Sequence, residues 1–474
     1  MEFSEALLFP TPLDKEGKAR ARGLLNSRLA GNLDRLLGLL QRPELLSRVG
    51  ARTQEMRSLF AEVLELSTSA PDRFSEFLGH WSTAFLLGQL LGTEPLDARL
   101  VDQLLGNVTA LLICLRLEGA IPASDARFIT PQTFYCLARG VRLQVRVPST
   151  SAGRVVWEFS DSRVSLSLEG APVPFAQVPL PLRGEGSFIA ATPLPISRRW
   201  GVPVVEDCEL LGVLGRHVSQ APVDAAASLG WHPMPLVESI DAAHATLAEL
   251  WPEVLDWGEV LLPAYVDMGG ASNRLVRGSS SYGAGSPIFL SPVEQAFKHA
   301  EDIVHELQHV RMSLLFDTSG FGLWEDLSLR FFSPYRSAPR PLNGLHLGIH
   351  SFLAVNRLRL LAGRKAPLES TLRNQLLATH RRNLWAFRTV LEFEQVAPHG
   401  RPLMAAMARE LVVQHGEIEP MVDAGASERI DDEFRTRAAA VQARAPVLNT
   451  SRPYMAWAQI IEIATRYAGA EELA

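Results

Sequence analysis

Cysteine is scarce: Cys114, Cys136 and Cys208 are the only three in 474 residues. No two of them form a CxxC pair, which excludes a disulfide scaffold and a cysteine-clamped metal and predicts isolated buried thiols. Long apolar runs are also missing, and nothing approaches the roughly 20 residues needed to cross a bilayer. The opening stretch MEFSEALLFPTPLDKEGKARARG has no basic start followed by an apolar core, so the expectation is a cytoplasmic protein with no membrane partner. Charge of one sign is not concentrated either. The 46 basic and 52 acidic residues give a net charge of −6 without long single-sign runs, which argues against a nucleic-acid surface and for solvated faces.

Hydrophobic residues make up 47% of the chain, enough for a globular protein, and the length calls for two or three domains. Apolar residues recur every three to four positions in RLAGNLDRLLGLL and FSEFLGHWSTAFLLGQLL, predicting a helical N-terminal section over residues 1–125. The texture then changes to short alternating runs, VRLQVRV, RVVWEFS and SRVSLSL, broken by Pro and Gly. This predicts a β-rich middle section over 126–235, where peptide recognition would reside. Helical spacing returns at VESIDAAHATLAELW, GEVLLPAYVDM and GSSSYGAGSPIFL read as two strands, and helices fill most of what remains to 445. A tail over 446–474 ends in a short helix. No internal repeat is present.

Within 236–445 lies EDIVHELQHVRMSLLF, residues 301–316. SPVE places Ser291 as N-cap, Pro292 at the first helical position and Glu294 three residues after the cap, so the helix is expected to begin at Pro292. The preceding segment reads as an edge strand. Ile303, Leu307, Val310 and Leu314 form a core-facing stripe, while His305 and His309, one turn apart, share a neighbouring face and can bite one ion. Glu306 can reach a group bound to that ion. A catalytic site takes a third protein ligand. PLNGLHLGIHSFLAV offers His346 and His350, also one turn apart, with Gly344 and Gly348 on a different face where another helix could approach. The extended zincin pattern HExxHxxGxxH is not met, because HELQHVRMSLL has neither the glycine nor the third histidine, and no downstream glutamate stands out as a ligand. The fold class expected is α+β, predominantly helical, with a zincin-like HExxH helical core.

Between the two histidine pairs runs LSLRFFSPYRSAPRPL, carrying Arg330, Tyr335, Arg336 and Arg340 and stiffened by prolines 334, 339 and 341. A guanidinium pairs with a carboxylate through two parallel bonds, so an arginine held beside a metal suits a dicarboxylate whose other end chelates that metal. Ordinary surface ion pairing is the competing explanation for each of these arginines.

HELQHVRMSLLFD followed by RFFSPYRSAPRPLNGLHLGIHSFLAV resembles the HExxH-motif peptide-modification proteins found beside precursor peptides of ribosomally made natural products. These are described as 2-oxoglutarate-dependent peptide β-hydroxylases. The likeness covers about residues 286–365. It rests on the HExxHV core, Asp317, the run from Arg330 to Arg336, and Arg340-Pro341-Leu342 leading to Gly344 and Gly348. It implies a mononuclear Fe(II) site on His305, His309 and a third ligand, His350 or His346. It also implies 2-oxoglutarate and O2 as co-substrates, a precursor peptide as substrate, and Arg330, Tyr335, Arg336 and Arg340 on the co-substrate side.

Two other readings compete. In a zinc metallopeptidase, Zn2+ polarises a carbonyl and Glu306 is the indispensable general base. In the hydroxylase Glu306 only orients a ligand or water. A peptide-binding protein with a closed structural metal needs no catalytic residue.

Overall fold

The computed structural model describes residues 15–41, 53–79, 98–122, 126–130, 133–136, 141–147, 154–160, 162–171, 173–181, 188–193, 196–198, 202–205, 235–262, 264–267, 278–280, 287–319, 329–336, 338–393, 401–421, 424–444 and 457–470. The architecture is α+β and mostly helical, as expected. Among the described residues four helices come first: α1 (Lys15–Gln41), α2 (Thr53–Ser69), α3 (Pro71–Gly79) and α4 (Ala98–Leu117). Eight strands follow: β1 (Arg127–Thr130), β2 (Thr133–Cys136), β3 (Val141–Val145), β4 (Val155–Ser160), β5 (Arg163–Leu168), β6 (Ala176–Pro179), β7 (Ile189–Pro193) and β8 (Val204–Val205). An antiparallel sheet runs β1-β4-β5-β6 and a smaller one β2-β3-β7.

Helical front and β-rich middle share one hydrophobic cluster, from Leu36, Phe60 and Val108 through Trp157 and Leu166 to Ile189. The alternation in RVSLSL explains how: Val164 and Leu166 face inward, because successive strand residues point to opposite sides of the sheet. Cys114 is a buried free thiol. Cys208, and the side chain of Cys136, lie outside the described residues.

The second half opens with α5 (Leu236–Leu250) and α6 (Pro252–Leu261). GEVLL, expected as a strand, is the end of α6 instead. Pro252 starts that helix after Trp251, and the buried Val254, Leu255, Trp257, Val260 and Leu261 make a helical stripe. Then come β9 (Tyr265–Asp267), β10 (Gly278–Ser280) and β11 (Ile288–Leu290), ordered β10-β11-β9-β8. β11 is therefore an inner strand, antiparallel to β10 and parallel to β9, and not the expected edge.

Among the described residues five long helices follow, α7 (Ala296–Ser319), α8 (Leu342–Lys365), α9 (Ser370–Glu392), α10 (Arg401–Ile418) and α11 (Ala424–Gln442), and α12 (Trp457–Ala470) supplies the tail helix. α7 packs between α5 and α8, and α1 reaches across from the front section onto α6 and α7. Lys18 of α1 pairs with Asp256 and Glu259 of α6 at 2.8 and 2.9 Å. Among the described residues, no helix is long and apolar enough to cross a membrane.

Candidate metal centre

α7 begins at Ala296, four residues later than SPVE predicts. The reason lies on α5. The buried Ser239 hydroxyl donates to the Val293 carbonyl at 2.7 Å and accepts the Val293 N–H at 3.0 Å. Both backbone groups of Val293 are thereby satisfied outside the helix. With its one proton committed, the hydroxyl takes His299 Nδ1–H at 2.6 Å. Burial holds His299 neutral, with its pKa pushed down to about 4.

From this start the stripe falls as the sequence predicts: Ile303, Leu307, Val310 and Leu314 are buried in the cluster that α7 shares with α5, α6 and α8. His305 and His309 lie beside it, half-buried. Their Nε2 atoms are 3.1 Å apart and their rings nearly perpendicular, at 89°. Two imidazole nitrogens that close can both reach one ion at the roughly 2.1 Å of a metal–imidazole bond. Burial, then His309 and Arg336, holds His305 well below the usual imidazole range. Burial and Arg336 lower His309 to about 4. Both rings are thus neutral at pH 7, the form that ligates a cation. Glu306, between them in sequence, is buried.

One turn before His305 an ion network ties three helices together. Glu301 accepts Arg359 Nε at 2.5 Å and Lys298 Nζ at 2.8 Å, and Arg359 Nη1 donates to Thr379 Oγ1 at 3.0 Å. Burial alone would raise the Glu301 carboxyl; Arg359 and Lys298 outweigh it and hold the pKa below the usual carboxylate value.

The α8 side chain that meets His305 is Phe352, with ring centroids 4.6 Å apart. Phe352 also stacks on Tyr335, at 4.9 Å and 13°. The Tyr335 hydroxyl donates to Asn383 Oδ1 of α9 at 2.7 Å. The Tyr335 ring also covers Gly348, where a Cβ would sit 2.5 Å from Tyr335 Cε2. Gly348 therefore admits an aromatic ring from the arginine segment, and not the helix that the sequence suggested.

Of the arginines, Arg336 is the one whose positive charge acts on both histidines. It is exposed and forms no hydrogen bond or ion pair among the described residues. Arg330 is exposed and donates to the neighbouring Leu329 carbonyl, while the Arg340 side chain lies against Gly344. The side chain of Asp317 is outside the described set.

His346 and His350 are buried on α8. Among the described residues, no group of three His, Cys, Asp or Glu side chains is placed to hold one ion. The structure brings together His305, His309 and Arg336, while His350 shares a face of α8 with Ala354, which packs in the cluster around α7. Phe352, Asn383 and Lys298 went unread in the sequence. Phe352 had a signal: Gly348 one turn earlier, a small residue stacked under a large one on one helix face.

The chain matches no known family model and no curated protein by sequence.

Proposed function

We propose that the protein is a 2-oxoglutarate- and Fe(II)-dependent oxygenase that hydroxylates a side-chain β-carbon in a ribosomally made precursor peptide. The observation that carries this reading is the convergence of two neutral imidazole nitrogens, 3.1 Å apart, under the charge of Arg336. The donor set fits a divalent first-row metal: both rings are uncharged and their Nε2 atoms converge. His305 and His309 would hold the ion, with His350 or His346 as the third ligand. When bound, it supplies the chemistry in which 2-oxoglutarate loses CO2, one atom of O2 enters succinate and the other enters the substrate C–H bond.

The chain's own residues do the rest. Arg336 offers a planar fork of donors to the distal carboxylate of the keto acid. Phe352 packs edge-on against His305 and restricts its ring. Glu306, buried beside both ligands in sequence, orients a ligand or water and carries no obligatory proton transfer. The zinc peptidase reading differs on this last point, because there Glu306 must take a proton.

The test is anaerobic reconstitution of the full chain with Fe(II), then O2, 2-oxoglutarate and a neighbouring precursor peptide. Succinate release with a mass gain of one oxygen on the peptide is the expected result, and Glu306→Gln should retain substantial turnover. Peptide cleavage without succinate, abolished in Glu306→Gln, would replace this reading with the peptidase.

A further inference from the structure

Phe331 and Arg340 exchange both backbone hydrogen bonds, at 2.8 and 2.9 Å, and so pin the base of the arginine loop. Its flank is held by Arg437 of α11, which donates to the Pro334 carbonyl at 3.3 Å. Neither contact fixes where the side chain of Arg336 stands. The residue next to it in sequence is held more closely: Tyr335 inserts between α8 and α9, its ring against Gly348 and stacked on Phe352.

The hydroxyl at the end of that ring is committed to Asn383, and burial holds it well above the usual phenol range, as a donor. Asn383 is fully buried, and its Nδ2 has no partner among the described residues. A buried amide half satisfied is costly. Here the satisfied half is the one that holds the tyrosine. An apolar residue opposite would pack as well without that cost, so the bond fixes a position and is not mere filling.

We propose that Tyr335 is the positioning residue of this site: packed on Gly348 and Phe352 and tied to Asn383, it sets Arg336 against His305 and His309. The inference rests on the metal and keto-acid reading given above. It gives Tyr335 a task other than the expected contact with co-substrate, since its hydroxyl already has a buried partner.

Two measurements on the full chain test it. Amide hydrogen exchange over residues 331–340 reads the latch itself. Titration with Co(II), then with 2-oxoglutarate, followed by visible absorption, reads metal uptake and keto-acid binding separately. Tyr335→Phe keeps the ring and removes the bond. It should speed exchange in the loop about tenfold and weaken 2-oxoglutarate about tenfold, with Co(II) affinity unchanged. Asn383→Ala, which removes the acceptor from the other side, should do the same, and the double variant should add little. Unchanged exchange in both single variants overturns the latch. Faster exchange with unaltered 2-oxoglutarate affinity overturns the positioning role. A wild-type chain that takes up no Co(II) sinks the metal reading instead, and the latch then stands or falls on exchange alone.

Discussion

Two histidine pairs in this protein have the same nitrogen–nitrogen distance and different chemistry. His305 and His309 are 3.1 Å apart on one helix, Nε2 to Nε2, half-buried, with perpendicular rings and an arginine charge beside them. His380 of α9 and His415 of α10 are also 3.1 Å apart, Nε2 to Nδ1, with rings stacked at 23° and both residues buried. The second pair is a hydrogen bond across two helices: one ring donates, the other accepts, and no charge is wanted. Distance alone therefore does not make a metal site. What separates the pairs is that the first shares one helix face, where a common ligand can reach both Nε2 atoms, and the second is a cross-link.

Variants break that comparison in order of effect. His305→Ala or His309→Ala should take bound Fe(II) or Co(II) from about one equivalent to near zero and abolish turnover, with little change in melting, because the core stripe lies on another face. Metal analysis with thermal denaturation checks this. His380→Ala should do the reverse: metal content stays, and stability falls by about 2–4 kcal/mol from the cavity and the lost His380–His415 hydrogen bond, as read by urea denaturation. His346→Ala and His350→Ala, both at buried positions, sort between the two groups: the variant that loses the ion marks the third ligand, and the one that keeps it and loses stability belongs with His380.

Acid sharpens the contrast. His299 and His309 titrate at about 4, and His346 and His380 at about 3, all below the ordinary 6.5. Folded, each stays neutral where the unfolded chain would take up a proton. Their contribution is therefore complete above pH 6.5 and drains away as pH falls toward 4. Urea midpoints should drop between about pH 7 and about pH 5. His380→Gln should flatten that slope. One equivalent of Co(II) should steepen it in the wild type and in His380→Gln, and not in His309→Ala. The smallest effect separates the arginines: Arg336→Gln should weaken 2-oxoglutarate by about ten- to hundredfold, while Arg330→Gln should leave its binding within about twofold.

The difference between the pairs also explains what the sequence could reveal. His305, Glu306, His309 and the stripe Ile303, Leu307, Val310 and Leu314 were legible because they are properties of one helix, fixed by spacing. The start of that helix was not, because the hydroxyl of Ser239, 54 residues earlier in the chain, holds Val293 outside it. The end of α6 was misread because GEVLL is apolar enough for either state, and Pro252 with Trp251 decides it. Which side of α8 faces the pair, and which of three arginines stands near it, depend on Tyr335 inserting against Gly348 and Phe352. That is a contact between segments, invisible to periodicity. His380 and His415, distant in sequence, carried no local signal.

The most direct measurement is the metal content of the full chain and two variants after anaerobic loading with Fe(II). The account predicts one equivalent in the wild type and in His380→Ala, and none in His309→Ala. Equal content in all three, or its loss in His380→Ala with retention in His309→Ala, would contradict the assignment of the ion to α7.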